Sequence, residues 1–391
     1  MKIAIGVHGR FHAFNLAQAL TERGHDVTLF TNYPISVVRR FVSGAVRIRS
    51  YVLHALVFRA LVRWPRLYRR FEPALMSMFG RWLMRRLSRE RWDAVHCWSG
   101  ICAESYAPHS GVSGLRLIMR GSAHIETQLQ LLTEEEQRTG TTIEKPTPWM
   151  VQRELTEYEL ADRLVVLSEF AKNSFVAKSF PPERLSVLRL AASASRFLSS
   201  DADCRRREER IQSGERLHVL FVGNISMQKG AFDLATILGS PELSMIDFRL
   251  VGSLADDAPR SLRHLPRNVS LTGRVPESDL PEHYRWADLF LFPTIQDGFA
   301  VVLAQAAASG LPLVASDHSG APDLIASQAA DGWIIPARHT REFCNQLRWC
   351  HENRPALAAT IASSTMRRKA RDWNDVAEEF ERICIGSETS Q

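Results

Sequence analysis

The feature that most constrains the fold is an alternation of short apolar segments with helical patterns, and it occurs twice along the chain. In the first half, the segments "KIAIGV", "HDVTLFTN", "DAVHCWS" and "LRLIMRG" are typical of buried strands. Between the first two, "AFNLAQALTERG" carries apolar residues at helical spacing, and further on "LADRLVVLSEFAKNSFV" indicates a strand that leads into a helix. Buried strands that alternate with helices predict a parallel sheet with crossover helices. We therefore expect an α/β domain in this half.

The same pattern restarts after a charge-dense stretch, "LSSDADCRRREERIQSGE", which we interpret as a surface connection. From "RLHVLFVGNIS" onward the strand segments are "IDFRLVGS", "NVSLTGRV", "ADLFLFPT", "LPLVASD" and "GWIIPA". The expected division is an N-terminal Rossmann-like domain over 1–197, a C-terminal one over 198–368 and a terminal segment over 369–391. Two such domains place a ligand cleft between the carboxyl ends of both sheets.

Composition excludes several other classes of protein. A hydrophobic content of 45% with 24% charged residues is typical of a soluble globular protein. The opening "MKIAIGVHGRFH" lacks the pattern of a secretory signal. Arg59 and Arg63 interrupt the apolar stretch "SYVLHALVFRALVRW", so we expect no membrane span there. The six cysteines include no C-x-x-C pair and no metal-ligand spacing. We expect reduced thiols, no metal site and a cytoplasmic location.

One segment, 38–92, differs from the rest in charge. It contains 14 Arg, no Lys and two Glu, for a net charge of +12; since the whole chain is +6, the remainder carries −6. Trp64, Trp82 and Trp92 lie among its aliphatic residues. Arg interleaved with Trp and aliphatic residues is typical of a helix on an anionic membrane, which would place the protein peripherally on the inner face of the cell membrane. The alternative is a helical insertion with a solvated Arg face, and no motif indicates nucleic acid binding.

A first candidate site follows a strand of the second half, in "LFVGNISMQKGAFDLATIL". Gly223 turns the chain, and Lys229 stands where a helix opens. A glycine turn allows close approach of a ligand, and free N–H groups of the helix together with the Lys charge favour a phosphate. Many α/β loops share this spacing for structural reasons alone, so the alternative is a plain turn.

A second candidate site has the same design, because "LFLFPT" ends a strand and "AVVLAQAAASG" forms the next helix. Its helix N-terminus is expected to face the same cleft. Asp297 precedes this helix and Gln305 lies within it. The alternative is that Asp297 only caps the helix and Gln305 is only a polar residue in a buried helix.

The chain resembles the retaining GT-B glycosyltransferases of family 4. That family has the pattern E-G-F-G-x-x-x-x-E-A-x-x-x-G-x-P-V-V-A-[ST], and "DGFAVVLAQAAASGLPLVAS" matches it in register. "SGAPDLI", "FVGNISMQKG", "NVSLTGRVPESDLPEHYRWADLFLFPT" and "EYELADRLVVLSEF" extend the resemblance, which is weakest over 35–95. It implies two Rossmann-like domains that face each other across a cleft, and a last helix, "RDWNDVAEEFERICIG", that packs back across it.

The resemblance implies that the first candidate site holds the donor diphosphate. Lys229, the Gly223 backbone and the two helix N-termini would stabilise charge that builds on the leaving phosphates. Family members usually have Arg after that glycine, whereas this chain has Asn224. We expect Arg10, in the loop after the first strand, to supply the missing charge from the opposing domain.

The second candidate site would hold the donor sugar and ribose. By resemblance, Asp297 contacts the sugar, and Gln305 hydrogen-bonds a ribose hydroxyl through its amide instead of through the usual carboxylate. The remaining contacts to the sugar hydroxyls would come from backbone N–H groups of Gly298, Phe299 and Ala300.

The N-terminal domain is expected to complete the site. The resemblance places His124 near the donor sugar and Arg120 beside the acceptor or the phosphate. Gly9 and Val275 are further expected substrate contacts. Between the domains, Ala191 and Ser193 replace the Gly and Asp of the family pattern, so the family's interdomain connection does not transfer to this chain unchanged.

The expected activity is transfer of a sugar from a nucleotide diphosphate sugar to the hydroxyl of a glycan or lipid-linked acceptor, with retention of configuration. Cell-surface polysaccharide or glycolipid synthesis would be its setting. No D-x-D pattern occurs at a strand end, so we expect no metal, and we expect no cofactor, the nucleotide sugar being a co-substrate. A sugar-nucleotide epimerase and a non-catalytic sugar-nucleotide-binding protein are the alternatives.

Overall fold

The computed structural model describes residues 1–192, 194–325, 331–364, 366 and 370–386. Ser193, one of the two departures noted between the domains, lies outside the described residues. All six cysteines are unpaired. No helix in the described part of the chain is long and apolar enough to cross a membrane.

The N-terminal domain is built on a parallel sheet of seven strands in the order β3-β2-β1-β4-β5-β6-β7. Its strands are β1 (Lys2–Val7), β2 (Asp26–Thr31), β3 (Arg47–Ser50), β4 (Ala94–Trp98), β5 (Leu115–Arg120), β6 (Arg163–Val166) and β7 (Leu185–Val187). Its helices are α1 (Ala13–Glu22), α2 (Ile35–Val38), α3 (Val52–Val62), α4 (Pro65–Leu87), α5 (Ala103–Tyr106), α6 (Ile125–Thr139), α7 (Pro148–Leu160), α8 (Glu169–Val176) and α9 (Ala194–Phe197).

The C-terminal domain has a parallel sheet of six strands in the order β10-β9-β8-β11-β12-β13. Its strands are β8 (Leu217–Val222), β9 (Ile246–Val251), β10 (Val269–Gly273), β11 (Leu289–Phe292), β12 (Leu313–Ser316) and β13 (Gly332–Ile335). Its helices are α10 (Asp201–Gln212), α11 (Ala231–Leu238), α12 (Leu280–Trp286), α13 (Val301–Ala308), α14 (Ala321–Leu324), α15 (Thr340–Glu352), α16 (Arg354–Ser363) and α17 (Trp373–Ile385). Short 3₁₀ turns occupy Pro182–Arg184, Met227–Lys229, Pro241–Leu243 and Arg260–Arg263.

The two-sheet α/β architecture confirms the predicted fold class. Each apolar segment quoted for the second half is a strand of the six-stranded sheet. The prediction did not include β3 and β7, which are the two edge strands of the first sheet. An edge strand pairs on one side only, so it needs a weaker apolar pattern than a central strand.

The interpretation of the charge-dense stretch as a surface connection is wrong, because most of it forms α10. Ser200 and Asp203 make a reciprocal capping box at its start. Arg207, on the inner face, is 1% exposed and donates hydrogen bonds to the carbonyl oxygens of Tyr284, Ala287, Ser309 and Gly310. An arginine can therefore belong to the core when carbonyl oxygens accept hydrogen bonds from its guanidinium group, which has five N–H donors.

The last helix, α17, packs against α1 of the N-terminal domain. The ring of Trp373 stacks on that of His12, with 6.5 Å between centroids. Arg23 forms an ion pair of 2.6 Å with Glu381, and His25 also bonds that carboxylate. Helix α17 is thus fixed to the N-terminal domain.

The basic segment is only partly an exposed insertion. Its strand β3 joins the sheet, and Trp92 is buried, with its ring 5.9 Å from that of Phe30. The Trp82 ring also packs against that of Phe30, with 6.1 Å between the ring centroids. The sequence-based assignment of Trp92 to an interfacial surface is therefore wrong. Trp82 is half-buried, and Trp64 is 68% exposed.

Candidate functional site

The cleft lies where the carboxyl ends of the two sheets face each other. The loop after β5 meets the loop after β11, and Ser122 Oγ donates a hydrogen bond of 2.6 Å to Gln296 Oε1 across the domains. Gly298 lies against the Gly121 backbone so closely that an added Cβ would overlap the Gly121 carbonyl oxygen. The two domains therefore touch at the floor of the cleft.

Two cavities open along this cleft. The first, of about 480 Å³, is lined by residues of both domains and by α3 and α4, among them His12, Phe58, Tyr68, Arg120, Asp297 and Ala300. The second, of about 520 Å³, is lined by Arg10, His12, Ala191, Val275, Glu277, Val301, Gln305 and Trp373, among others. Val301, the first residue of α13, lines both cavities. The start of this helix thus stands between them.

Lys229 and Asp297, predicted from separate motifs, form an ion pair. The 3₁₀ turn that carries Lys229 is tied to the loop before α13, because Gln228 O accepts hydrogen bonds of 3.0 Å from Ile295 N and Thr294 Oγ1. Asp297 lines the first cavity. The structure therefore places one positive and one negative group side by side next to the N-terminus of α13.

Gly230 allows this turn to pack closely against the residue that follows β11, because it has no side chain. It has a φ of +78°, and a Cβ there would overlap the carbonyl oxygen of Pro293. Gly223 and Asn224 precede the turn. Gly223 N donates to Val251 O at 2.9 Å, and Asn224 Oδ1 accepts from Ser253 Oγ at 3.1 Å. Neither they nor Lys229 line the two cavities, so their predicted contacts to a phosphate stay predictions.

Ala300 holds a backbone conformation that non-glycine residues rarely adopt. It precedes α13 with φ 63° and ψ 104°. Just before it, Phe299 N donates a hydrogen bond of 3.3 Å to Asp297 Oδ1, and the Phe299 ring is fully buried. Strained backbone of this kind costs about 1–3 kcal/mol and persists where the surroundings impose it. The loop before α13 is thus held in a fixed shape.

Replacing Ala300 with Gly is expected to raise the free energy of unfolding of the C-terminal domain by about 1 kcal/mol, because glycine adopts positive φ without steric cost. The greater freedom of glycine in the unfolded chain offsets part of the gain. Urea unfolding checks this, with Ala304→Gly in the middle of α13 as control, which should lose about 1 kcal/mol. A loss of stability in Ala300→Gly would contradict the strain.

Gln305 lies at the bottom of the second cavity and is 5% exposed. Its Oε1 accepts a hydrogen bond of 2.9 Å from the hydroxyl of Tyr284, which is itself buried. The amide NH₂ group of Gln305 remains as a donor for a hydroxyl in the cavity. The predicted ribose contact therefore requires this NH₂ group.

Arg10 lines the second cavity from the N-terminal domain, and its supply of the missing charge at a phosphate stays a prediction. Its guanidinium lies 3.7 Å from the centre of the Phe41 ring and 3.5 Å from Glu277 of the other domain. Gly9 N donates to Asn32 Oδ1 at 2.9 Å, which holds the loop in place. Val275 is half-buried at the cavity wall.

Arg120 is buried at the wall of the first cavity. Its Nη1 forms an ion pair of 3.0 Å with Glu154, and its Nε donates to Ala123 O at 3.0 Å. Glu154 also accepts from the Tyr158 hydroxyl. The pair is oriented by several hydrogen bonds and presents a fixed polar edge to the cavity.

His124 occupies a structural position as the N-cap of α6. Its Nδ1 accepts from Glu126 N at 3.3 Å, and its ring packs 4.8 Å from that of Phe175. Burial is the main cause that lowers the pKa of His124 to about 4, so the imidazole is neutral at pH 7. It lines neither cavity, and a role near a sugar stays a prediction.

Sequence reasoning missed His12, which lines both cavities. Its Nε2 is buried and makes no hydrogen bond within the described residues. Burial lowers the pKa of His12 to about 3. A lone histidine at the start of a helix gives no signal in a sequence, and only the meeting of two domains reveals its place.

Comparison with known proteins identifies the family of both halves. The profile of the family described as "Glycosyltransferase Family 4" matches residues 10–192, and that of "Glycosyl transferases group 1" matches residues 216–353. The two matches cover more than three quarters of the chain.

Two curated relatives are similar over a shorter region. The amylovoran biosynthesis glycosyltransferase AmsK of Erwinia amylovora is 28% identical over 186 residues, which are 44% of this chain and 43% of that protein. A GDP-mannose-dependent alpha-(1-6)-phosphatidylinositol monomannoside mannosyltransferase of Mycobacterium tuberculosis is 27% identical over 177 residues, 42% of this chain and 46% of that protein. The chain thus spans less than half the length of these relatives.

Solved structures share the fold over the whole chain. Anabaena HepE in complex with UDP superposes with a TM-score of 0.67 at 13% identity, covering 99% of this chain and 100% of that chain. WaaG, a glycosyltransferase involved in lipopolysaccharide biosynthesis, superposes with a TM-score of 0.63 at 18% identity, covering 98% and 100%. These structures and the paired parallel sheets show the GT-B fold, and the two profile matches show that the chain belongs to the glycosyl transferases of group 1, family 4.

Proposed function

We propose that the protein is a retaining glycosyltransferase that moves a sugar from a nucleotide diphosphate sugar to an acceptor hydroxyl, in the synthesis of a cell-surface polysaccharide or a glycolipid. The observation that carries this proposal is the Lys229–Asp297 pair near the start of α13, a helix whose first residue lines both of the two cavities in the cleft. The names of the relatives, which act in amylovoran synthesis and on a phosphatidylinositol mannoside, support the class of product.

In this proposal, the two cavities hold different parts of the substrates. The nucleotide occupies the second cavity, where the Gln305 amide meets the ribose. HepE was solved with UDP and with UDP-glucose, which supports a nucleotide sugar as donor. The diphosphate lies at the N-terminus of α13, where unpaired N–H groups favour an anion. The sugar points past Asp297 into the first cavity, and the acceptor enters beside the Arg120–Glu154 pair.

Charge governs the proposed reaction. The bond from the sugar C1 to the phosphate oxygen breaks, and a bond from C1 to the acceptor oxygen forms on the same face of the sugar. The acceptor proton passes to the departing phosphate. Because negative charge builds on that phosphate, Lys229 and the helix N-terminus stabilise the transition state more than the ground state. Asp297 orients Lys229 and accepts a hydrogen bond from a sugar hydroxyl.

We propose that this charge replaces a divalent metal ion. Transfer in excess EDTA is then expected to retain the full rate, because the positive charge at the phosphates comes from the protein. Measuring the initial rate with EDTA, and again after added Mg²⁺ or Mn²⁺, checks this. A rate that collapses with EDTA and returns with metal would remove metal independence from the proposal and leave the transfer itself in place.

Replacing Gly298 with Ala is expected to lower the rate of transfer about 100-fold, because the added Cβ forces the loop before α13 away from Gly121. Each domain should stay folded, since the obstructed contact lies between the domains. The matched control is Gly44→Ala, where a Cβ meets nothing within 4 Å. An unchanged rate for Gly298→Ala would show that the two domains need not approach this closely.

A thermal-shift panel of nucleotide diphosphate sugars tests the proposed donor class. A matched donor should raise Tm by binding the native state, and the free sugar should not. Incubation of that donor with candidate acceptors should then yield a product that retains the anomeric configuration. Conversion of the donor without any acceptor would instead indicate an epimerase, and binding without turnover across an acceptor panel would indicate a binding protein.

A further inference from the structure

The outer surface of the α3–α4 pair carries an unusual combination of side chains. Within residues 52–71, which we name the docking hairpin, eight large apolar side chains are exposed, more than half of those in the described chain. They are Val52, Leu53, Leu56, Val57, Val62, Trp64, Leu67 and Phe71. Such a concentration marks an interaction surface, because soluble surfaces rarely gather apolar side chains.

The charge of the docking hairpin has one sign. Its exposed charged residues are Arg59, Arg63, Arg66, Arg69 and Arg70, and it contains no Asp or Glu. The next acid along the chain, Glu72, is buried and accepts hydrogen bonds from Thr147 and Tyr68. No acidic side chain of the hairpin therefore offsets its positive charge.

The exposed apolar residues belong to a hairpin that is packed on its other face. On α3, His54 and Ala55 are buried between the exposed Leu53 and Leu56. His54 bonds Leu75 O through Nε2 at 3.1 Å, and the Phe58 ring lies 4.5 Å from that of His8 at the end of β1. The outward apolar face is thus a fixed surface of the domain.

We propose that the docking hairpin binds the surface of an anionic lipid bilayer. Trp64, at the turn between the helices, and the leucines on either side would enter the headgroup layer, while the arginines contact lipid phosphates. A fully solvated Arg face does not account for the eight apolar side chains. A nucleic acid accounts for the arginines, but only two of the eight, Trp64 and Phe71, offer aromatic rings for stacking.

Docking in this way places the cleft at the membrane. The inner side of the same hairpin lines the first cavity through Phe58 and Tyr68, and Met76 of α4 lies beside them. One pair of helices therefore forms both the lipid-facing surface and the wall of the cavity that contains Asp297. If the proposed transfer is correct, on which this step rests, the acceptor is an amphiphile anchored in that membrane.

Flotation of the full chain with vesicles tests the docking. The wild-type protein should bind vesicles of phosphatidylcholine with phosphatidylglycerol, bind neutral phosphatidylcholine vesicles much less, and release as salt is raised. Arg63→Glu with Arg66→Glu should weaken binding by about 25-fold or more, from roughly fivefold per charge. Trp64→Ser with Leu67→Ser should weaken it by about tenfold or more.

Two matched controls lie in the other domain. Arg205→Glu changes an exposed charge on α10, and Trp349→Ser removes an exposed Trp on α15; both should bind like the wild type. Wild-type protein that stays unbound from anionic vesicles at moderate salt, or hairpin variants that bind as tightly as the controls, would overturn the docking. The donor-induced Tm shift reports separately on the proposed function, because vesicle binding needs no nucleotide sugar.

Discussion

Replacing Lys229 with Ala is expected to lower the kcat of transfer by about 100- to 1000-fold, while the protein stays folded. The reason is that Lys229 would stabilise charge on the departing phosphate, and removal of one such donor costs about 3–4 kcal/mol in the transition state. Steady-state kinetics with saturating donor measure the effect. Lys229→Arg keeps the charge and should recover part of the rate.

The control for this loss is Lys145→Ala. Lys145 forms an ion pair of 2.8 Å with Glu136 and is exposed to a similar degree, but it lines neither cleft cavity. Its removal should leave the rate unchanged, because a part-exposed ion pair contributes little to stability. A full rate in Lys229→Ala would contradict the proposed role of this residue and leave Asp297 to be explained as a helix-capping acid.

Replacing Arg207 with Met is expected to lower the free energy of unfolding of the C-terminal domain by about 3 kcal/mol. Met fills a similar volume but leaves buried carbonyl oxygens on α12 and just after α12 and α13 without their donor, at about 1–3 kcal/mol for each unsatisfied group. Burial lowers the pKa of Arg207, which reflects the cost of a buried charge. Because Arg207→Met removes this buried charge, part of the cost of the unsatisfied carbonyl oxygens is offset.

Arg206 offers a control one residue away. It is 71% exposed and pairs only with Asp203 among the contacts described for its side chain, so Arg206→Met should change stability by less than about 0.5 kcal/mol. The midpoint of urea unfolding, followed by a probe in the C-terminal domain, measures both variants. Equal midpoints would show that the carbonyl oxygens around Arg207 find other partners.

The sequence predicted the sheets because buried parallel strands are continuous apolar segments, such as "LFLF" of β11. It failed at α10, where eight of the twelve residues are charged and the inward face depends on Arg207. It failed also at Trp92, which lies between α4 and β4, because composition does not tell which side chains face the core. Both failures concern the direction of side chains.

The candidate site also combines features that the sequence predicted with contacts that it did not. The motifs brought Lys229 and Asp297 to one cleft, since both follow strand ends of one sheet. They did not reveal that the two form an ion pair, that the Tyr284 hydroxyl donates a hydrogen bond to Gln305 Oε1, or that His124 caps a helix. These are contacts between distant parts of the chain. The strain at Ala300 had a signal, since the family pattern has glycine at this position.

The central claim is that a nucleotide diphosphate sugar binds between the two domains with its phosphates near Lys229. Calorimetric titration of the donor found by the thermal-shift panel tests it most directly, with wild-type, Lys145→Ala and Lys229→Ala proteins. The account predicts equal Kd values for the first two and binding at least about tenfold weaker for Lys229→Ala, from the loss of one charge-assisted phosphate contact. Equal Kd values for all three proteins, or no binding of any nucleotide sugar by the wild type, would contradict it.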